Sequence, residues 1–84
     1  MIEWDETKRR SNIAKHSVDF VIAAGFQWDG AMVVEDDRFD YGEPRYVAIG
    51  MIGAKAYTMV FTPRGNKVRV ISLRPASRDE RNLL

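Results

Sequence analysis

Between residues 45 and 74 the sequence sets three β-rich segments against two short turns, and no other feature restricts the fold as much. Residues 45–52 read Arg-Tyr-Val-Ala-Ile-Gly-Met-Ile and run into a turn at Gly53, Ala54 and Lys55. Residues 56–62 (Ala-Tyr-Thr-Met-Val-Phe-Thr) supply a partner strand, followed by a tight turn at Pro63, Arg64, Gly65 and Asn66. Residues 67–74 (Lys-Val-Arg-Val-Ile-Ser-Leu-Arg) make the last strand, which Pro75 stops. β-Branched and aromatic side chains suit a pleated, half-buried surface, and loops this short join neighbours. The prediction is an antiparallel meander.

The flanking segments read as helices around it. Ile2-Glu3-Trp4 alternates apolar and polar residues and is expected to form a short strand. Asp5 stands at an N-cap position with Glu6 in the first turn, so a helix is predicted over residues 6–15. Lys8, Asn12 and Lys15 share one polar face of it, turned to solvent or to a ligand. Asp19 caps a second helix, Phe-Val-Ile-Ala-Ala, apolar on most sides and therefore expected against the sheet, with Val18 and Ala23 as a hydrophobic staple. Residues 32–35 read as a strand and residues 36–42 as a polar loop. Ser77, three residues before Glu80, opens a closing helix as a capping box. The order β-α-α-β-β-β-β-α describes an α+β fold. A small twisted antiparallel sheet carries the N-terminal helices on one face, beside a short C-terminal helix. The other face is left for solvent, a ligand or a partner.

Length and composition narrow the function classes. With 84 residues, a single domain over residues 1–84 is expected, and its limited core favours leaning on a partner. No cysteine means no disulfide framework and no Cys-based zinc site, and a lone histidine disfavours a His-built one. The sequence shows no membrane-length apolar run and no basic, apolar leader pattern, so a cytoplasmic location is expected. The formal charge of +1 hides an asymmetry: residues 21–43 carry six acids against Arg38, whereas residues 44–84 carry eight basic residues against Asp79 and Glu80. A basic half suggests an anionic partner, nucleic acid first, against the plainer reading of a solvated charged surface.

Phosphate-loop, metal-binding and nucleophile-elbow motifs are absent, and no cofactor is expected. The chemistry-bearing set is cationic: Arg45 begins a strand, Arg64 sits in a turn, and Arg69 and Arg74 share the last strand. Five residues apart, those two point to opposite faces unless a bulge intervenes. Arginine grips phosphate through a planar fork, so converging arginines can hold a phosphodiester and its transition-state charge. Lys15 and His16 end the first helix, where the dipole favours cations. Against these stand structural readings: a helix-terminal hydrogen bond for His16, and salt bridges to the acidic loop for the arginines. Trp4, Phe20, Phe26, Trp28 and Phe61 are read as core.

Several of these residues recur together in a recognisable order. Glu3-Trp4-Asp5, Lys8, Asn12, Lys15-His16, Phe20, Gly42-Glu43-Pro44-Arg45, Arg64, Arg69-Val70-Ile71-Ser72-Leu73-Arg74 and Glu80-Arg81 resemble the BrnT toxin family of type II toxin–antitoxin systems. The resemblance covers nearly the whole chain. It implies a RelE-like fold and a metal-independent endoribonuclease that inhibits translation. It also implies a BrnA-like ribbon-helix-helix antitoxin in a 2:2 heterotetramer, touching operator DNA only through that antitoxin. Such chemistry needs a base, cations for the phosphorane-like charge and an acid for the leaving oxygen. Arg45, Arg64 and Arg74 are then expected to hold the phosphate and Lys15 or His16 to move protons. Lys8, Asn12 and Arg69 are expected to bind RNA. An antitoxin meeting this basic face should carry acidic and apolar residues. In one place the sequence departs from the resemblance: Leu84 stands about where a tyrosine is expected. That departure favours the alternative, a toxin-like module of weak or no activity that keeps antitoxin binding and operon autoregulation.

Overall fold

A computed structural model, describing residues 1–38 and 40–84, places each predicted cap at a helix start. Phe39 of the predicted 36–42 loop lies outside the described residues. The Asp5 carboxylate accepts from the backbone N–H of Thr7 (2.8 Å) and Lys8 (3.3 Å), opening helix α1 (Glu6–His16). Ser17 ends α1 in the left-handed region, at φ 58°, and its N–H donates to the Ile13 carbonyl. Asp19 accepts from the Val21 N–H, but the segment it opens is a 3-10 helix (Phe20–Gly25) rather than an α-helix. Six residues ending in glycine and entering a strand leave no room for α-helical bonds to accumulate. Ser77 and Glu80 form the reciprocal capping box of α2 (Arg78–Arg81).

Five strands form one sheet: β1 (Ile2–Trp4), β2 (Phe26–Glu35), β3 (Tyr46–Ile52), β4 (Lys55–Arg64) and β5 (Lys67–Pro75), in the order β1-β5-β4-β3-β2. The meander β3-β4-β5 is antiparallel, as expected. The sheet as a whole is mixed, because β1 runs parallel to β5, with Ile2 opposite Val68 and Trp4 opposite Val70. This corrects the all-antiparallel expectation. The chain leaves β1 through α1 and only much later supplies the neighbour, so no local turn signals the pairing. The fourth predicted strand also starts earlier, at Phe26, with its register interrupted between Gln27 and Met32. Gly30, at φ 81°, accommodates that irregularity.

Alternation along the strands divides the faces. On the inner face Ala48, Met59, Phe61, Val70 and Leu73 meet Val18, Phe20 and Ala23 from the helical segments. Phe20, Met59 and Leu73 are fully buried, and each such side chain contributes roughly 2–3 kcal/mol. Phe26 lies against Gly50 so closely that a β-carbon there would come within 2.6 Å of the ring. Glycine is the residue that admits this ring.

Asn12 ties α1 to the sheet. Its amide nitrogen donates to the carbonyls of Leu73 (2.6 Å) and Val18 (3.0 Å), and its oxygen accepts from the Leu73 N–H (3.2 Å). β1 pairs only as far as Val70. Beyond it the Leu73 backbone would be left unpaired, and the Asn12 amide takes both its polar groups as a neighbouring strand would. On the outer face Ile49, Ala56 and Ala76 form a small second cluster, Thr58 and Thr62 are buried as well, and Val47, Val60, Arg69 and Arg74 are partly exposed. Among the described residues no helix is long and apolar enough to cross a membrane.

Candidate functional site

The cations of β5 share the outer face because the strand is irregular. Thr62 pairs with Arg69 and Phe61 with Val70, but Val60 pairs with Ser72, so Ile71 is an extra residue in a bulge. The alternation restarts after it, and Arg74 falls opposite Thr58. Thr58, Val60, Thr62 and Arg64 lie on one face of β4, and therefore so do Lys67, Arg69 and Arg74 on β5. The bulge condition on Arg69 and Arg74 is met, and both stand on the outer face.

Arg74 lies in a depression lined by Val34, Val47, Val60, Thr58 and Glu80, and also by Glu35, Asp36, Asp37 and Arg38 of the acidic segment. Its Nη1 and Nη2 donate to the two Glu80 oxygens, each at 2.7 Å, and Nη1 also reaches the Pro75 carbonyl at 3.4 Å. Glu80 accepts as well from the Ser77 N–H at 2.8 Å. One carboxylate thus caps α2 and fixes the guanidinium. The Arg74 hydrogen bonds, opposed by partial burial and aided by the Ser77 N–H, hold the Glu80 carboxyl at about 2 rather than 4.5. Arg74 is shifted upward by the same pair. The buried Thr58 hydroxyl makes no hydrogen bond of ordinary geometry among the described residues, yet it lies near enough to Glu80 to favour its charge. Five guanidinium N–H groups are available. Nε–H and one Nη2–H remain beyond those contacts to meet an oxyanion.

Lys8, Lys15 and His16 line a cleft between α1 and the bulge, with Ser11, Ile71 and Ser72. Ser72 is opposite Val60, which lines the Arg74 depression, so the two hollows adjoin across β5. Lys8 and Lys15 are exposed and His16 is half-buried. Asn12 also borders this cleft, but it is buried and both amide hydrogens are used on carbonyls. It has no donor left for RNA, and its position on the shared polar face of α1 serves the sheet instead.

The three arginines expected on one phosphate do not converge. Arg64 is opposite Lys67 and Arg74 is opposite Thr58, six residues away along β4, about 20 Å at strand spacing. Arg64 donates to Glu43 at 3.4 Å. Arg45 sits just before β3, its guanidinium 4.1 Å from the Tyr41 ring centre and its Nε buried with no hydrogen-bond partner among the described residues. It borders the acidic hollow of Glu35, Asp37, Asp40 and Glu43. Asp36, held at about 2 rather than 3.8 chiefly by the Arg38 hydrogen bonds, anchors that segment. Arg69 donates to Glu3 across β1 at 2.8 Å.

Sequence reading missed Glu80 and Thr58 as members of the Arg74 cluster. The capping box had marked Glu80, but a local motif carries no sign of a second partner six residues upstream. Among the described residues no group of three or more acidic or histidine side chains is placed to hold a metal ion. Compared with models of known families, residues 4–80 match that of the ribonuclease toxin, BrnT, of type II toxin–antitoxin systems. No curated protein matches the chain.

Proposed function

The chain belongs to the BrnT family of ribonuclease toxins of type II toxin–antitoxin systems, and on that premise we propose that it is a metal-independent endoribonuclease that inhibits translation. The observation carrying this reading is the basic outer face, where the Ile71 bulge puts Lys67, Arg69 and Arg74 on one side of β5, with the Arg74 hollow adjoining the α1 cleft. Cleavage transfers the 2′-hydroxyl proton to a base while its oxygen bonds to the neighbouring phosphorus. The bond from phosphorus to the 5′-oxygen then breaks, and an acid protonates that oxygen. In this reading Arg74 stabilises the charge on the non-bridging oxygens with its Nε–H and spare Nη2–H, the Glu80 pair holding it in place. Lys15 or His16 moves protons from the adjoining cleft. Arg45, Arg64, Arg69 and Lys8 grip successive parts of the strand, and Asn12 supports the fold. The chain acts as one RelE-like toxin domain in the cytoplasm.

A type II toxin has a protein antitoxin. Here it is proposed to be BrnA-like, a ribbon-helix-helix protein in a 2:2 heterotetramer, with operator DNA reached only through it. The test is RNA cleavage by the purified chain in excess chelator, followed by end analysis. Products with 2′,3′-cyclic phosphate ends support the reading. Intact RNA would sink the nuclease, and cleavage abolished by the chelator would sink its metal independence. One observation favours a second reading. The Arg74 fork is already engaged by Glu80, which suits a weakly active module that keeps antitoxin binding and operon autoregulation. Harmless expression with tight antitoxin binding is its signature.

A further inference from the structure

The end of the sheet away from the basic strand carries an open edge. β2 is the terminal strand, and among the described residues only β3 pairs with it. After the irregularity that ends at Met32, residues 32–35 are regular. The Asp36 N–H donates to the Arg45 carbonyl opposite it, at 2.8 Å. Alternation then turns the backbone groups of Met32 and Val34 toward β3, and those of Val33 and Glu35 away from the sheet. Met32, Val33 and Val34 are 37%, 44% and 54% exposed, a contiguous apolar stretch on an unpaired edge. Glu35 and Asp37, beside it, are exposed and form no ion pair among the described residues.

We infer that this edge is the docking site for an extended segment of the antitoxin, one that adds as a sixth strand, places apolar side chains beside Val33 and Val34, and carries basic residues for Glu35 and Asp37. This rests on the toxin reading, which supplies the partner. Main-chain pairing to Val33 and Glu35 gives affinity, and alternate side chains give specificity. Charge decides between occupants. A second copy of the chain would bring one strongly acidic 21–43 segment against another, and RNA would meet the same acids, whereas a basic strand is complementary. The docked segment therefore has the opposite charge to one that would cover the basic face, and, because Val34, Glu35 and Asp37 also line the Arg74 hollow, it comes to lie beside that hollow.

The probes are two peptides of alternating valine and threonine, one flanked by lysines and one by glutamates, added to the full chain. The lysine peptide should bind about tenfold more tightly, the worth of a few exposed charge pairs, and should protect the Val33 and Glu35 amides from hydrogen exchange. Val33→Pro removes an outward donor that β3 does not use and should abolish that binding with the thermal midpoint kept. Should this variant fail to fold, the double replacement Glu35→Lys, Asp37→Lys should reverse the peptide preference. Equal binding of both peptides, protection confined elsewhere, or edge amides already protected by self-association would overturn the inference. RNA cleavage measured on the same sample separates the two failures. Cleavage without edge binding removes only the docking site, whereas intact RNA removes the toxin reading beneath it.

Discussion

The two ends of this sheet are built from the same alternation and present opposite chemistry. On β4 and β5 the outer face carries Arg64, Lys67, Arg69 and Arg74, and the strands are locked on both sides. At β2 the acids Glu35 and Asp37 stand beside an edge with no strand beyond it. The difference shows in where each end places its ion pairs. On the basic side Arg69 reaches Glu3 across the fold, and Glu80, six residues on, holds Arg74 through both oxygens. The acidic side pairs Asp36 with the exposed Arg38 two residues on, and Glu43 meets Arg64 of β4 at 3.4 Å. A cationic site on β5 and an acidic edge open to addition are complementary to partners of opposite charge, as proposed above.

The largest expected effect breaks the comparison at its centre. Arg74→Ala should slow RNA cleavage by about a hundredfold or more, the cost of removing one positioned donor from a developing oxyanion. Asp29→Asn, on β2 outside the Arg74 hollow, should leave the rate unchanged, and a similar loss in both would erase the distinction between the ends. Next in size is Asn12→Ala, which strands the buried Leu73 backbone groups and should cost about 3 kcal/mol in urea unfolding. Arg10→Ala, removing an exposed guanidinium that meets Glu6 at 3.6 Å, should scarcely move the same curve. Smaller still, Arg69→Ala should lower the slope of log affinity for RNA against log salt by about one, for one lost phosphate contact. Charge removal at Lys55, at the far end of β4, should leave that slope alone.

The smallest effect is in acid. Glu80 and Asp36 are both depressed to about 2, from 4.5 and 3.8. Each therefore contributes stability that is complete above its unfolded value and is lost as pH falls toward 2. Unfolding midpoints should drop over this window. Glu80→Gln should be less stable than the parent at pH 6 and should lose less between pH 5 and 2. An unchanged pH profile in Glu80→Gln would move the acid sensitivity to Asp36 and to Asp19, which the Arg9 hydrogen bonds also lower.

Much of the fold was legible because its signals are local. Asp5, Asp19 and Ser77 announce helix starts through one side-chain oxygen each, and Gly53 and Gly65 mark the meander turns at positive φ. The features that stayed hidden depend on distant or silent causes. The pairing of β1 with β5 joins residues more than sixty positions apart. The bulge at Ile71 has no glycine or proline to betray it, and it decides which arginines share a face. Asn12 reads as a polar surface residue on its helix, and only Leu73, folded beside it, makes it structural. Of the candidate site, the residue types were legible. Their grouping was not: the expected three-arginine clamp becomes an Arg74–Glu80 pair in one hollow, with Lys8, Lys15 and His16 in the next.

The Asn12 amide has one more consequence. Sheets with two free margins can polymerise, each added molecule offering a fresh margin to the next. Here one margin is a strand of only three residues, beyond which a side chain occupies Leu73, and so short an edge offers little to pair with. Growth by strand addition is thus favoured on one side: a single guest at the other margin would end the series. A toxin held by a protein inhibitor gains from such an arrangement, because it yields discrete particles of fixed stoichiometry rather than fibres.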